Sequence, residues 1–387
     1  MNIAGKSSAW CLLLIVMGYF GTAASLLPPV FFFEQASDDI IVESLRSSRE
    51  LPHPSPFMVR EDPRGGGEVI PYYSQFGLTY RALLPFRNDL PQAFLHVILS
   101  LVWALATGAV FWWFQARISL IHGRNSGILF LLLCCGTPTF LFFAGSFYWQ
   151  LPLLLGPFLV TYAIADSRPA TALFCVFGIL LLRFLGGYEY TSTLLLSPIA
   201  ALILRSAFGD ITIKRALQRT WPLCASGLLA FLAAIAAHLA TLAASAGGWY
   251  EGFSHFKDVV ESRTSGDFLD RDTSMRGDLI ALINSLFRNE VILVVGLAAV
   301  TVWLVDATRG RLAALRIASA LLFALLCSLS WQILARGHMR DHAHINFILY
   351  LIPFGLSVYL AFSRVVGGLI SANLDPKEPE PSRGQPR

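Results

Sequence analysis

The sequence predicts an all-α fold, a polytopic transmembrane helix bundle of about ten spans with a partly helical first outside loop. Three observations carry this. Charged residues make up only 14% of the 387 residues and hydrophobic ones 55%, with a mean hydropathy of +0.60, whereas soluble domains carry about 25% charged residues. The apolar residues come in uninterrupted runs, and a run of about 18 or more is long enough to cross the hydrocarbon core. Lysine and arginine fall in alternate short loops, as the positive-inside rule requires.

Taken in order, the apolar runs place spans at 9–33, 93–114, 127–143, 151–165, 170–186, 191–206, 222–246, 291–306, 316–335 and 345–363. Lys6 followed by the run from Ala9 to Ala24 is similar to a signal peptide. The run continues past Pro28 and Pro29 to Phe33, which favours an uncleaved first span. The third to sixth spans are short and closely spaced, which leaves a count of eight or nine open. With the N-terminus in the cytoplasm, the inside segments hold Arg117 and Arg124, Arg168, Arg205, Lys214, Arg215 and Arg219, Arg309, Arg311 and Arg316, and further basic residues in the tail. Both termini are then cytoplasmic, in a multi-pass protein of a bacterial-type inner membrane.

Residues 1–372 read as one transmembrane domain, with long outside loops at 34–92 and 247–290. Residues 373–387, charged and proline-rich, read as a disordered cytoplasmic tail. The net charge of +4, with no basic stripe interleaved with aromatics, excludes a nucleic-acid partner. All six cysteines lie inside apolar runs and offer no disulfide framework.

The polar residues that depart from this pattern are the candidate site. Asp38 and Asp39 follow the first span at the head of an acidic, helix-like stretch, 38–50. An acidic pair there suits a general base, or a divalent cation held with a sugar phosphate. It equally suits a helix start. Side chains adjacent on a helix point about 100° apart, so only one of the two would act. Tyr72, Tyr73, Ser74 and Gln75 close the same loop after a turn-rich piece containing Gly65, Gly66 and Gly67. They suit either stacking on sugar rings or an interfacial aromatic belt.

Arg183 lies near the outer end of its span, followed by Gly186-Gly187-Tyr188-Glu189. Ionisable residues at membrane depth face the bundle interior or a water-filled cavity. Arg183 suits a phosphate and Glu189 a hydroxyl, and the competing reading is snorkelling with a mutual ion pair. The densest polar cluster spans Arg336, His338, Arg340, His342, His344 and Asn346, in a short outside loop where positive charge is disfavoured. It suits a phosphate or diphosphate. A metal site and a structural polar loop compete, and no regular conformation brings all three histidines together. His238, alone midway along the seventh span, reads as hydrogen-bonded to a neighbouring helix.

This layout resembles the GT-C class of membrane glycosyltransferases. The matching features are Asp38 or Asp39 just after the first span, the 72–77 stretch in the same loop, and positive groups at the outer mouth. Asp-Asp stands where some of those families have Asp-Glu, and no large C-terminal outside domain follows. The resemblance implies an inverting transfer of sugar from a polyprenyl-phosphate carrier to a glycan, lipid or protein acceptor. It implies Asp38 or Asp39 as base, with Arg183, Arg336 and His338 holding the carrier phosphate. Two other classes compete: a transporter or channel, and a polymerase or ligase of lipid-linked glycans. Membrane lipids are partners in every case.

Overall fold

The computed structural model describes residues 35–50, 58–61, 69–72, 77–88, 91–265, 289–335 and 348–374. The first predicted span, 9–33, and nearly all of the predicted tail lie outside them. The described chain is helical apart from one small hairpin. Helix α1 runs over Gln35–Ser47, strands β1 and β2 over Met58–Glu61 and Val69–Tyr72, and α2 over Leu78–Leu83. Then come α3 (Gln92–His122), α4 (Arg124–Cys135), α5 (Pro138–Ala144), α6 (Leu151–Ile164), α7 (Pro169–Gly186) and α8 (Thr191–Ala207). The last five are α9 (Ile213–Ala246), α10 (Trp249–Ser265), α11 (Asn289–Arg309), α12 (Arg311–Leu334) and α13 (Leu356–Leu374), the last preceded by a π turn at Tyr350–Gly355.

Six helical stretches are long and apolar enough to cross a membrane: Val97–His122, Pro169–Gly186, Ile213–Ala246, Asn289–Arg309, Arg311–Leu334 and Tyr350–Asn373. They mark the chain as an integral membrane protein. Three shorter apolar helices, α4, α6 and α8, accompany them. The helices pass back and forth between two ends of one bundle. At one end Arg364 pairs with Asp210 at 2.6 Å, His122 meets the Tyr162 hydroxyl at 2.8 Å, and Arg205 donates to the Tyr162 carbonyl at 3.3 Å. At the other end lie the segments 145–150 and 187–190, joined to α1 and α2 as described below.

Several expectations change in detail. The hairpin is the exception to an all-α chain; it pairs Met58 with Tyr72 and Glu61 with Val69, antiparallel. Its strands, Met-Val-Arg-Glu and Val-Ile-Pro-Tyr, are four residues each, too short to register as a periodic signal. The predicted span 127–143 is two helices broken at Gly136 and Thr137. Pro138 disfavours helical backbone at the residue before it, and Thr137 is extended at φ −86, ψ 110. The hydroxyl of Thr137 donates to the Leu133 carbonyl at 2.7 Å and so satisfies a group the break exposes. Helix α3 outruns its apolar window because Gln115 and Ser119 bond to each other at 3.0 Å along it. Polarity ended the predicted span without ending the helix.

Packing explains the composition. Helix α6 is buried almost throughout, against α3, α7 and α8, so its sequence is apolar on every side. Lipid tails are as apolar as leucine, so close contact rather than water exclusion holds such helices together. Small residues supply it: a Cβ on Gly367 of α13 would lie 2.6 Å from the Ser126 backbone nitrogen of α4. Before α13 the helix breaks at Ile352 (φ −133, ψ 114). Ser328 of α12 mends the break, taking the Phe354 N–H at 3.2 Å and lying 3.2 Å from the Ile352 carbonyl oxygen.

Candidate functional site

The apolar stripe of α1 decides which acidic residue matters. Ile41, Val42 and Leu45 are buried and form a small second core with Tyr80, Leu95 and Phe147. Asp38 stands three, four and seven residues before them, on the same face, and is only 5% exposed. Burial pushes the Tyr80 hydroxyl in this core up to about 12, against the opposing pull of the Ser48 hydroxyl and the Arg87 charge. Asp39 occupies the next helical position, and its side chain lies outside the described residues. The helix begins at Gln35, so Asp38 lies in its first turn rather than at its cap.

Asp38 reaches from α1 to the segment joining α5 and α6. Its Oδ1 accepts the Ser146 hydroxyl at 2.9 Å and the Tyr148 backbone N–H at 2.8 Å. The Tyr148 hydroxyl donates in turn to Glu189 Oε1 at 3.5 Å, a long contact. Arg183 Nη2 donates to Glu189 Oε2 at 3.3 Å. Arg183 is 0% exposed and Glu189 3%. Such a pair is tolerated only because each charge answers the other. Among the described residues Arg183 Nε has no hydrogen-bond partner. Gly186 makes room here, since a Cβ on it would meet Gln150 Oε1 at 3.0 Å and Arg183 Nη1 at 3.5 Å. Gln150 donates to the Thr79 hydroxyl of α2 at 3.1 Å, which binds the first loop to the same place.

Two backbone outliers frame this group. Gln150 (φ 54) and Tyr190 (φ 66) are left-handed non-glycine residues, and each caps the N-terminus of a helix, α6 and α8 respectively. Such conformations cost about 1–3 kcal/mol and persist where surrounding structure imposes them. The Tyr190 ring is clamped between Trp149, stacked at 5.6 Å, and Trp331, edge-on at 6.5 Å.

Glu189 opens onto a cavity of about 320 Å³. Its walls come from the 188–191 stretch, α9, α10 and the C-terminal end of α12. The Tyr188 hydroxyl lies 3.2 Å from His238 Nδ1 of α9, and the imidazole meets Phe256 of α10 edge-on at 5.8 Å. Burial, and secondarily the Glu189 charge, pushes the Tyr188 hydroxyl well above its ordinary range, so it remains a donor at neutral pH. His238 is therefore hydrogen-bonded to another element, as its lone position in an apolar run suggested.

The structure thus joins three of the sequence candidates, Asp38, Glu189 and Arg183, through Tyr148. Arg183 and Glu189 form the ion pair that was one of their two readings. Tyr72 is a strand residue of the hairpin, whose β1 packs on α1. Tyr73, Ser74, Gln75, Arg336, His338, Arg340, His342, His344 and Asn346 lie outside the described residues. Ala335, which lines the cavity, is the residue to which Arg336 is bonded. Among the described residues no group of three His, Cys, Asp or Glu could hold a metal ion.

Sequence reasoning missed Ser146, Tyr148, Trp149 and Gln150. A signal was present: Ser-Phe-Tyr-Trp-Gln between two apolar runs is as polar and aromatic as 72–75. Its shortness made it read as a mere connection. Comparison with protein-family models, curated proteins and solved structures finds no match.

Proposed function

We propose that this chain is a membrane glycosyltransferase moving a sugar from a polyprenyl-phosphate carrier to an acceptor hydroxyl. The observation that supports it is the buried Asp38–Tyr148–Glu189–Arg183 network at one bundle end, meeting an apolar cavity at Glu189. A transferase of this kind needs a carboxylate for the acceptor and a site within reach of the bilayer. In the reaction the acceptor oxygen attacks the anomeric carbon as the carbon–oxygen bond to the carrier phosphate breaks. The phosphate departs with the bonding electrons and a carboxylate takes the acceptor proton. A single displacement inverts the anomeric centre.

Glu189 is the carboxylate the geometry favours for the proton, because it reaches the cavity. Asp38 acts as a positioning residue through Ser146 and Tyr148. Arg336, the residue after Ala335, and His338 two further on are assigned to the carrier phosphate, together with Arg183. The loops at the opposite end carry Arg124, Arg168, Lys214, Arg215, Arg309 and Arg311, which supports placing the site on the non-cytoplasmic face of a bacterial-type inner membrane.

The test is sugar transfer from polyprenyl-phosphate donors by purified protein in vesicles. Glu189→Gln is expected to lose roughly 10²-fold or more in kcat, the scale of general-base catalysis, and Asp38→Asn to lose less. Full activity in both variants overturns the assignment of these residues. A parent protein inactive across a donor panel overturns the transferase reading. A second reading, a transporter, is favoured by the two interrupted helices, which meet where the Thr137 and Tyr359 hydroxyls bond at 2.8 Å. Near that point Glu290 accepts the Thr139 N–H at 3.2 Å. Solute uptake by the same vesicles distinguishes the two.

A further inference from the structure

The cavity at Glu189 is walled mainly by Phe231, Ile235, Phe256, Val259, Trp331 and Leu334. Among the described residues its only formally charged wall residue is Glu189, and the walls are mostly aromatic and aliphatic. What fits against those walls is apolar. A second observation indicates where that apolar group comes from. Helices α9 and α12 both pack along α8 and flank the cavity from either side. Leu334 in the wall is 60% exposed, and Ile333 beside it 71%. Both lie at the end of a membrane-crossing helix, where exposure means contact with lipid. Leu229 and Leu232 of α9 are exposed in the same way. The cavity thus lies beside exposed, lipid-facing positions of both α9 and α12, and α10 supplies another of its walls.

We infer that this cavity is a binding site for one hydrocarbon chain of a membrane amphiphile, admitted sideways from the bilayer between α9 and α12. The chain makes dispersion contacts with the aromatic and aliphatic walls. The volume is at the lower end of the ~300–1,000 Å³ of small-molecule sites, enough for a length of chain rather than a whole lipid. Glu189, Tyr188 and His238 form its polar margin and fix the direction of the amphiphile, with the head toward Arg183, the partner of Glu189. The inner surface of α10 presents Phe256, Val259 and Val260 to the chain, at helical spacing. An isoprenoid chain and an acyl chain share this chemistry. Only the isoprenoid assignment rests on the transferase reading.

The experiment uses the full chain in phospholipid vesicles with two photoreactive probes, a diazirine-bearing polyprenyl phosphate and a diazirine-bearing acyl phospholipid. Crosslinks are mapped by peptide mass spectrometry. Labelling concentrated on 231–238, 256–264 and 331–335 is expected from at least one probe. Ile235→Trp, which fills the cavity, is expected to lower that labelling roughly tenfold, a loss of about 1.4 kcal/mol. Leu293→Trp, on the exposed surface of α11 and away from the cavity walls, leaves it unchanged and reports that the bundle is intact. Labelling by the polyprenyl probe alone identifies the carrier; equal labelling by both identifies a bulk-lipid chain, and either supports the site. Labelling spread evenly over all lipid-facing helices, or unmoved by Ile235→Trp, overturns it. The readout needs no turnover, so the site stands if sugar transfer is absent and falls if labelling fails in an active enzyme.

Discussion

Arg183→Leu removes the guanidinium and leaves the Glu189 carboxylate buried without its nearest counter-charge. The pair is in contact at 3.3 Å with both side chains almost wholly inaccessible, so water cannot replace the lost partner. Breaking a buried pair on one side costs about 3–5 kcal/mol, whereas replacing both charges with apolar groups of similar volume is close to neutral. The mutual attraction must therefore appear as non-additivity. Arg183→Leu and Glu189→Leu should each destabilise by several kcal/mol, and the double variant by much less than their sum. At roughly 2 °C per kcal/mol in a large chain, each single variant should lose about 6–10 °C in melting temperature. The assay is thermal unfolding of the purified protein in one detergent, followed by tryptophan fluorescence, for all four members of the cycle. If the single variants melt within about 2 °C of the parent, or if their losses simply add, the pair is not coupled and the electrostatic reasoning fails.

Three further outcomes follow from the packing. Gly367→Val is expected to separate α13 from α4 and lower stability by about 1–3 kcal/mol or more, while Gly368→Ala, into open space, is expected to be neutral; detergent melting curves compare them. Ser328→Ala should cost about 1–3 kcal/mol by stranding the buried Phe354 N–H, and Ser328→Thr should restore most of it, read by the same melting curves. Trp249, Tyr250 and Phe253 lie exposed on α10, immediately after the α9 span, where aromatic rings favour the membrane–water interface. The fluorescence lost in Trp249→Phe should be quenched by lipids brominated near the headgroup; quenching only by an aqueous agent would place α10 in solvent.

The membrane-crossing helices were legible because each is a continuous apolar run, and such runs have one stable use. Their ends were less so. Gln115 in α3 and the Lys214–Arg219 stretch of α9 interrupt hydropathy without ending the helix, so both helices exceed their windows. The break at Thr137 runs the other way: hydropathy stays high across it, while Pro138 disfavours helical backbone at Thr137. At the site, the sequence singled out Asp38, Arg183 and Glu189 by the cost of placing charge near a membrane. It could not select Asp38 over Asp39, because that choice depends on which surface of α1 meets Tyr80 and Phe147. Nor could it weigh Tyr148, whose role includes a bond to Asp38, 110 positions away.

The sequence by itself determined that this is a helical membrane protein with ionisable residues gathered toward its ends. Transfer free energy acts residue by residue, and the tally needs no knowledge of neighbours. Only the tertiary structure decided that Asp38, Glu189 and Arg183 share one network, and that Glu189 faces a mostly apolar cavity. Those are properties of contacts between α1, α7 and the 145–150 segment, and of the space left between α9 and α12. Hydropathy has no term for which helices are neighbours. That is set by close packing at small residues and by the few polar groups that must find partners where water is absent.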